Sequence, residues 1–293
     1  MSAAPPTLST TPATRHLLPA TRVLLGAFAV LTALAFGSLF VLAGSTERTF
    51  AWTIAPPLTA AFIGAGYGAG FLLVVLSLRA GTWACVRVPL LTILVFVVLT
   101  LAATLIHRDR LHFGGEFAAL GALAKGAAWV WFVVYLIVPV ALAVLVVVQE
   151  RVPGSDPPAR HPVPLALRGA LGVESAVLSV VGILLYTVPS SAPTVWPWQL
   201  TPFTGRIIAA WLLAFAAATA LASVAGDLER LRTAAIAYTA FGVLVLIAVL
   251  RFPSTLDWSD PKAWLFVTLF VAVVATGGIG WRLSPRPVGP SRG

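Results

Sequence analysis

The sequence predicts an all-α polytopic integral membrane protein with about eight transmembrane helices, arranged as two parallel four-helix repeats. Three observations lead there. Only 10% of the 293 residues are charged while 59% are hydrophobic, and the mean hydropathy is +0.96. A soluble domain carries about 25% charged residues, so the solvent that matches this chain is lipid. Apolar runs of about twenty residues recur eight times, and the second half of the chain partly repeats the first.

The runs cover roughly residues 23–43, 58–78, 88–106, 127–148, 167–188, 204–224, 233–251 and 263–283. Each is long enough to cross the hydrocarbon core as a helix, which satisfies its own backbone there. The alternation expected of membrane β-strands is absent. The first run, Val23–Ala43, follows Arg15 and Arg22 and exceeds the core of a signal peptide, so it reads as a retained helix. It closes on Ser45 where a lipoprotein signal needs cysteine.

Residues 1–20, rich in Pro, Ser, Thr and Ala, and 284–293, which contain Pro, Gly, Ser and Arg, read as disordered tails. Residues 149–165 form a proline-broken polar linker between a first membrane unit, 21–148, and a second, 166–283. At an offset of 146, Arg22 and Gly26 match Arg168 and Gly172, and Trp52 and Pro56 match Trp198 and Pro202. At 145, Phe96, Leu99, Leu101, Ala103 and Leu105 match Phe241, Leu244, Leu246, Ala248 and Leu250; at 135, Ala128-Trp129 matches Ala263-Trp264. The Trp-x-x-x-Pro pair ahead of helices two and six is the most specific of these, because both residue types are scarce. Four helices per unit keep the two repeats parallel.

A net charge of +9 would raise nucleic acid as a partner of a soluble protein. Here it reads as the arginine bias of cytoplasmic loops, and no nucleic-acid partner is expected. With the N-terminus inside, the inner segments carry twelve Lys and Arg (among them Arg286 and Arg292) and the outer ones seven, so both termini are expected in the cytoplasm. All basic residues except Lys125 and Lys262 are arginine, which with the abundant alanine points to a high-GC bacterial genome and a bacterial plasma membrane. Trp52, Trp129, Trp131, Trp196, Trp198, Trp258 and Trp264 fall near outer helix ends and read as an aromatic belt.

Glu174 is the only acidic residue inside a run. A carboxyl at that depth marks a proton or cation site, or a local salt bridge to Arg168, Arg79 or Arg87. Its repeat equivalent, Phe28, has no charge. Gly172, Ser175, Ser179 and Gly182 form a stripe of small residues on the same helix, and Gly64, Gly66, Gly68 and Gly70 form two interleaved Gly-x-x-x-Gly spacings on helix two. Both patterns read as helix-packing faces. Pro139 inside helix four frees the carbonyl of Tyr135, and helix eight carries Gly277, Gly278 and Gly280. Interruptions at corresponding places in two repeats point to a transporter binding site. Arg206 could bind an anion near the outer surface or snorkel to headgroups.

Chemistry beyond this is thin. His107, Asp109 and His112 share one outer loop but look interfacial, so no metal and no cofactor is expected. The single cysteine, Cys85, excludes an intrachain disulfide. No Gly-x-Ser-x-Gly, His-Glu-x-x-His or Walker pattern is present. The leading expectation is therefore a transporter-like protein or permease subunit acting on a small solute. The alternative is a non-catalytic component that packs against a partner membrane protein, or another copy, through the Gly- and Ala-rich faces of helices two and six. A membrane-embedded enzyme comes third.

Overall fold

A computed structural model describes residues 14–113 and 115–285. Eight long helices run through it: α1 (Pro19–Phe36), α3 (Pro57–Ala80), α4 (Trp83–Ile106), α5 (Ala122–Glu150), α6 (Leu165–Thr187), α8 (Pro202–Ala225), α9 (Leu228–Arg251) and α10 (Pro261–Leu283). Two single-turn helices, α2 (Thr46–Thr49) and α7 (Ala192–Val195), sit in the connections. All eight long helices are apolar and long enough to cross a membrane, counting α1 with the π turn Gly37–Val41 that extends it. No named strand occurs among the described residues. The chain is a multi-pass membrane protein whose outward faces require a lipid bilayer.

α3 and α8 are the most buried helices and α1, α5, α6 and α10 the least. The main packing pairs are α1 on α3, α6 on α8, α4 on α5, α9 on α10, and, across the middle, α3 on α9 and α4 on α8. One end of the bundle, the terminal face, holds the start of α1 and the end of α10. The other, the loop face, holds α2, α7 and residues 107–113 and 115–121.

Local sequence explains the turns. Gly81 (φ 70°) and Gly226 (φ 71°) end α3 and α8 in the left-handed conformation, which lets the chain reverse within two residues at the terminal face. Asp227 and Asp260 then cap α9 and α10 by accepting from the backbone N–H groups of Glu229 and Lys262, and Thr201 and Thr204 form a capping box on α8.

Several expectations need correction. α4, α5 and α9 start five residues before the apolar runs that announce them, so Arg87, Lys125 and Arg230 are helical. The helix continues past its apolar stretch because long basic side chains can reach polar surroundings from its first turns. Neither α5 at Pro139 nor α10 at Gly277–Gly280 is interrupted. Gly277 instead lets α10 approach α9, since a Cβ there would lie 2.6 Å from Thr239. Pro56 is the N-cap of α3, whereas Pro202 is the first helical residue of α8, a position that Pro57 occupies in α3.

The expected tails at 1–13 and 286–293 lie outside the described residues. Residues 14–18 are ordered along the terminal face. Leu17 donates to the Gly81 carbonyl, Leu18 to the Gln149 side chain, and Arg15 faces Glu150 and Asp156.

Candidate functional site

Leu171, Glu174, Leu178 and Leu185 recur at helical spacing and form the inward stripe of α6. This places Glu174 inside the bundle, about 14 Å along the axis from the start of α6. The Tyr238 hydroxyl of α9 donates to one carboxylate oxygen at 3.0 Å, and Thr276 of α10 lies 2.9 and 3.0 Å from the two oxygens. Glu174 thus ties three helices together. No arginine reaches it among the described residues. Arg87, one of the expected partners, pairs instead with Glu150 and Asp156 at the terminal face. Hydroxyl partners can donate to a carboxylate or accept from a carboxylic acid, so the cluster accommodates either protonation state without moving.

Halfway along α3, the Tyr67 hydroxyl meets that of Tyr135 on α5 at 2.5 Å. Both tyrosines are buried and ringed by Phe96, Trp131 and Trp211; Trp131 lies 4.4 Å from Tyr135, and Phe96 stacks on Trp211 at 3.8 Å between centroids. Pro139 is buried one turn from Tyr135. Pro89, inside α4, was hidden in the sequence because that helix was expected to begin at residue 88.

Three crevices lie beside these groups, each sharing lining residues with the next. The first lies between α1 and α5 and runs from Phe50 and Ala122 near the loop face to Tyr67 and Tyr135. The second shares Leu31, Tyr67, Val134 and Tyr135 with the first and continues past Phe96 and Trp211. The third shares Leu73, Thr92, Phe215 and Ala237 with the second and ends on Tyr238, Thr276 and Gly280 towards the terminal face. Glu174 stands directly behind Tyr238 and Thr276. No acidic or basic side chain lines any of the three.

A more polar hollow opens at the loop face, lined by Trp52, His107, Arg110, His112, Thr201 and Phe203 among others. His112 lies 3.0 Å from the Phe50 carbonyl through Nδ1 and 3.1 Å from the Thr53 hydroxyl through Nε2. Arg206 is half-buried and partly engaged within the chain. Its Nε donates to the Tyr186 carbonyl at 3.1 Å and its guanidinium lies 2.6 Å from His107 Nε2. Burial, and then Arg206, push the His107 imidazole below its ordinary value. Burial likewise lowers His112, against the Phe50 carbonyl that raises it. His107, Asp109 and His112 do not converge on one point, as Asp109 pairs with Arg110. A different trio, His161, Asp227 and Glu229, lies close together, but the Asp227 oxygens accept from the backbone N–H groups of Arg160 and Glu229. Although burial opposes it, these and neighbouring N–H groups hold the Asp227 carboxyl below its usual range.

The aromatic belt is only partly as expected. Trp129, Trp258 and Trp264 face outward, but Trp52, Trp131, Trp196 and Trp198 are buried. Trp52 packs on Trp131 and Phe203, and Trp198 donates to Thr59 at 2.8 Å. They cement the helix ends rather than float in headgroups.

The small residues of α3 meet partners inside the chain. A Cβ would lie 2.5 Å from the Phe40 backbone at Gly64, 2.6 Å from the Trp211 ring at Gly66 and 2.7 Å from Phe36 at Gly68, while Gly70 has ordinary clearance. On α6, Gly182 closes on Leu213 and Ser175 donates to the Ala216 carbonyl, Ser179 is half-buried, and Gly172 faces open space. The face of α3 on which a partner protein was expected to dock is therefore occupied from within. One further contact escaped the sequence altogether. Arg251, at the end of α9, donates to the Phe40 and Val41 carbonyls that the π turn exposes, and lies over the Phe40 ring.

Comparison of the chain with protein-family models, curated proteins and solved structures returns no match.

Proposed function

We propose that this membrane protein is transporter-like and moves a small, uncharged, apolar or amphipathic solute between the two faces of the bundle. One observation carries the reading: the three crevices overlap in sequence from Phe50 and Ala122 near the loop face to Gly280 near the terminal face. Their shared residues lie on α1, α3, α4, α5, α8 and α9, at the junction where the two halves of the chain meet. Glu174 is the ionisable group of this passage, placed to take up a proton or to accept a cation behind the Tyr238 and Thr276 hydroxyls.

The reading includes a duplicated architecture in the bacterial plasma membrane with both termini in the cytoplasm. Equal lengths of corresponding elements support the duplication: α3 and α8, like α4 and α9, have 24 residues each, and α2 and α7 have four. Paired isolated bridges support it too, with His16 facing Thr82 and Pro162 facing Asp227 next to the two left-handed glycines. The arginines gathered at the terminal face support the orientation.

Native mass spectrometry of the protein released gently from its own membrane tests the passage. A bound small molecule is expected on the wild type and should be lost in Gly70→Leu. Gly70 lines the second crevice, and a Cβ there would be in ordinary contact with Thr32 and Trp211, which line it too, so a larger side chain takes up space in the crevice. A wild type that is consistently empty would count against the passage.

A further inference from the structure

We infer that the seam between α1 and α5 admits a neutral, planar, lipid-soluble carbonyl compound from the bilayer, of quinone type, and presents its carbonyl oxygen to the Tyr67–Tyr135 pair. The inference rests on the passage proposed above and names the class of molecule that enters it and the side from which it does so.

The two halves differ at this seam. Between α6 and α10, Thr276 and Glu174 form a hydrogen-bonded link. Helices α1 and α5 are tied instead near the terminal face, where the Thr21 hydroxyl donates to the Gln149 side chain at 3.0 Å, and at the corresponding position between them Phe28 offers no such link. A crevice remains there, with Leu34, Leu123 and Val130 exposed at its mouth. In an apolar span that mouth opens onto acyl chains rather than water.

The floor of the seam holds an unmet hydrogen bond. Tyr67 and Tyr135 carry two hydroxyl hydrogens, but their contact with one another uses only one. The other has no acceptor among the described residues. A buried donor left in this state costs free energy, which an acceptor on a ligand would recover.

Depth and polarity select the ligand. Tyr67 lies ten residues into α3, about 15 Å from the loop face and so near the middle of the hydrocarbon layer. A phospholipid headgroup does not reach this depth. No charged side chain lines the seam or the second crevice, so an ion gains nothing there. The Trp131 ring lines the first crevice and the stacked Phe96–Trp211 pair lines the second, so a flat molecule meets aromatic surface in both.

Equilibrium binding to the full chain in lipid nanodiscs, corrected with empty nanodiscs, tests the inference with menadione and with methylnaphthalene, which has the same ring skeleton without carbonyls. The wild type should bind menadione saturably and about tenfold more tightly than the hydrocarbon, the worth of one buried hydrogen bond. Tyr67→Phe/Tyr135→Phe should keep the hydrocarbon affinity and lose the preference; if that variant does not fold, Tyr135→Phe should lose part of it. Gly126→Phe should slow association severalfold, because a Cβ on Gly126 meets nothing within 4 Å and the ring would stand in the mouth. A wild type with no preference, a preference that survives loss of both hydroxyls, or an unchanged rate in Gly126→Phe would each overturn the inference. Saturable, tyrosine-dependent menadione binding by a protein that leaves its own membrane empty would sink the passage and spare the seam. A native ligand that Tyr67→Phe/Tyr135→Phe retains would do the reverse.

Discussion

The hydroxyl of Tyr238 donates to the carboxyl of Glu174 at 3.0 Å, joining α9 to α6 inside an apolar bundle where Thr276 is the only other partner of that carboxyl among the described residues. A polar knot in such surroundings is costly to break. Removing the carboxyl leaves a buried hydroxyl unmatched, at about 1–3 kcal/mol.

Glu174→Ala should therefore lower the thermal unfolding midpoint clearly, whereas Glu174→Gln, which keeps an oxygen acceptor, should lower it less. The two variants separate structure from function. Both lose the titratable group, so both should lose solute movement. A Glu174→Gln protein that moves solute as well as the wild type would remove the proposed role of the carboxyl.

Gly64→Ala and Gly66→Ala should each cost about 1–3 kcal/mol by overpacking against Phe40 and Trp211. Gly172→Ala should be neutral or gain up to about 1 kcal/mol, because its Cβ meets nothing and the helix loses a flexible residue. Unfolding in detergent, without any partner protein, measures all three. If the α3 substitutions were silent in the isolated protein yet disrupted an assembly in the membrane, the α3 glycines would serve a partner instead.

The eight spans were legible because each depends on composition within one segment, and Glu174 stood out as the one acidic residue in those runs. The long-range contacts were not legible. Tyr67 and Tyr135 are 68 residues apart and Arg251 and Phe40 are 211 apart, and no local pattern announces either pair. The α3 glycines could be recognised as a packing surface, but nothing in one segment says whether its neighbour is the same chain. The start of α4 was misplaced because Arg87 looked like a loop residue. Its ion pairs with Glu150 and Asp156, in distant segments, are what hold it at the helix start.

The loop face should make stability depend on pH. Burial and Arg206 hold the His107 imidazole below its ordinary value of 6.5, so the folded form keeps it neutral. As pH falls through about 6.5, the unfolded chain takes up a proton that the folded chain does not, and stability drops until the folded group also titrates. The unfolding midpoint should fall between about pH 7.5 and 5.5, and His107→Gln should flatten that fall. An unchanged slope would show that His107 does not contribute to it.

The orientation can be read chemically. In a Cys85→Ser background, Ser259→Cys at the loop face should react with an impermeant maleimide on intact cells, and Ala159→Cys at the terminal face only after lysis. Both positions are exposed. The reverse pattern would turn the protein over in the membrane.

Flux through proteoliposomes, using the small molecule that co-purifies with the wild type, tests the central claim most directly. The account predicts transfer faster than in protein-free liposomes for the wild type, and transfer at the protein-free rate for Gly70→Leu at equal stability and protein content. Wild-type proteoliposomes that bind the molecule but transfer it no faster than bare lipid would contradict the account and leave a membrane protein that holds its ligand without moving it.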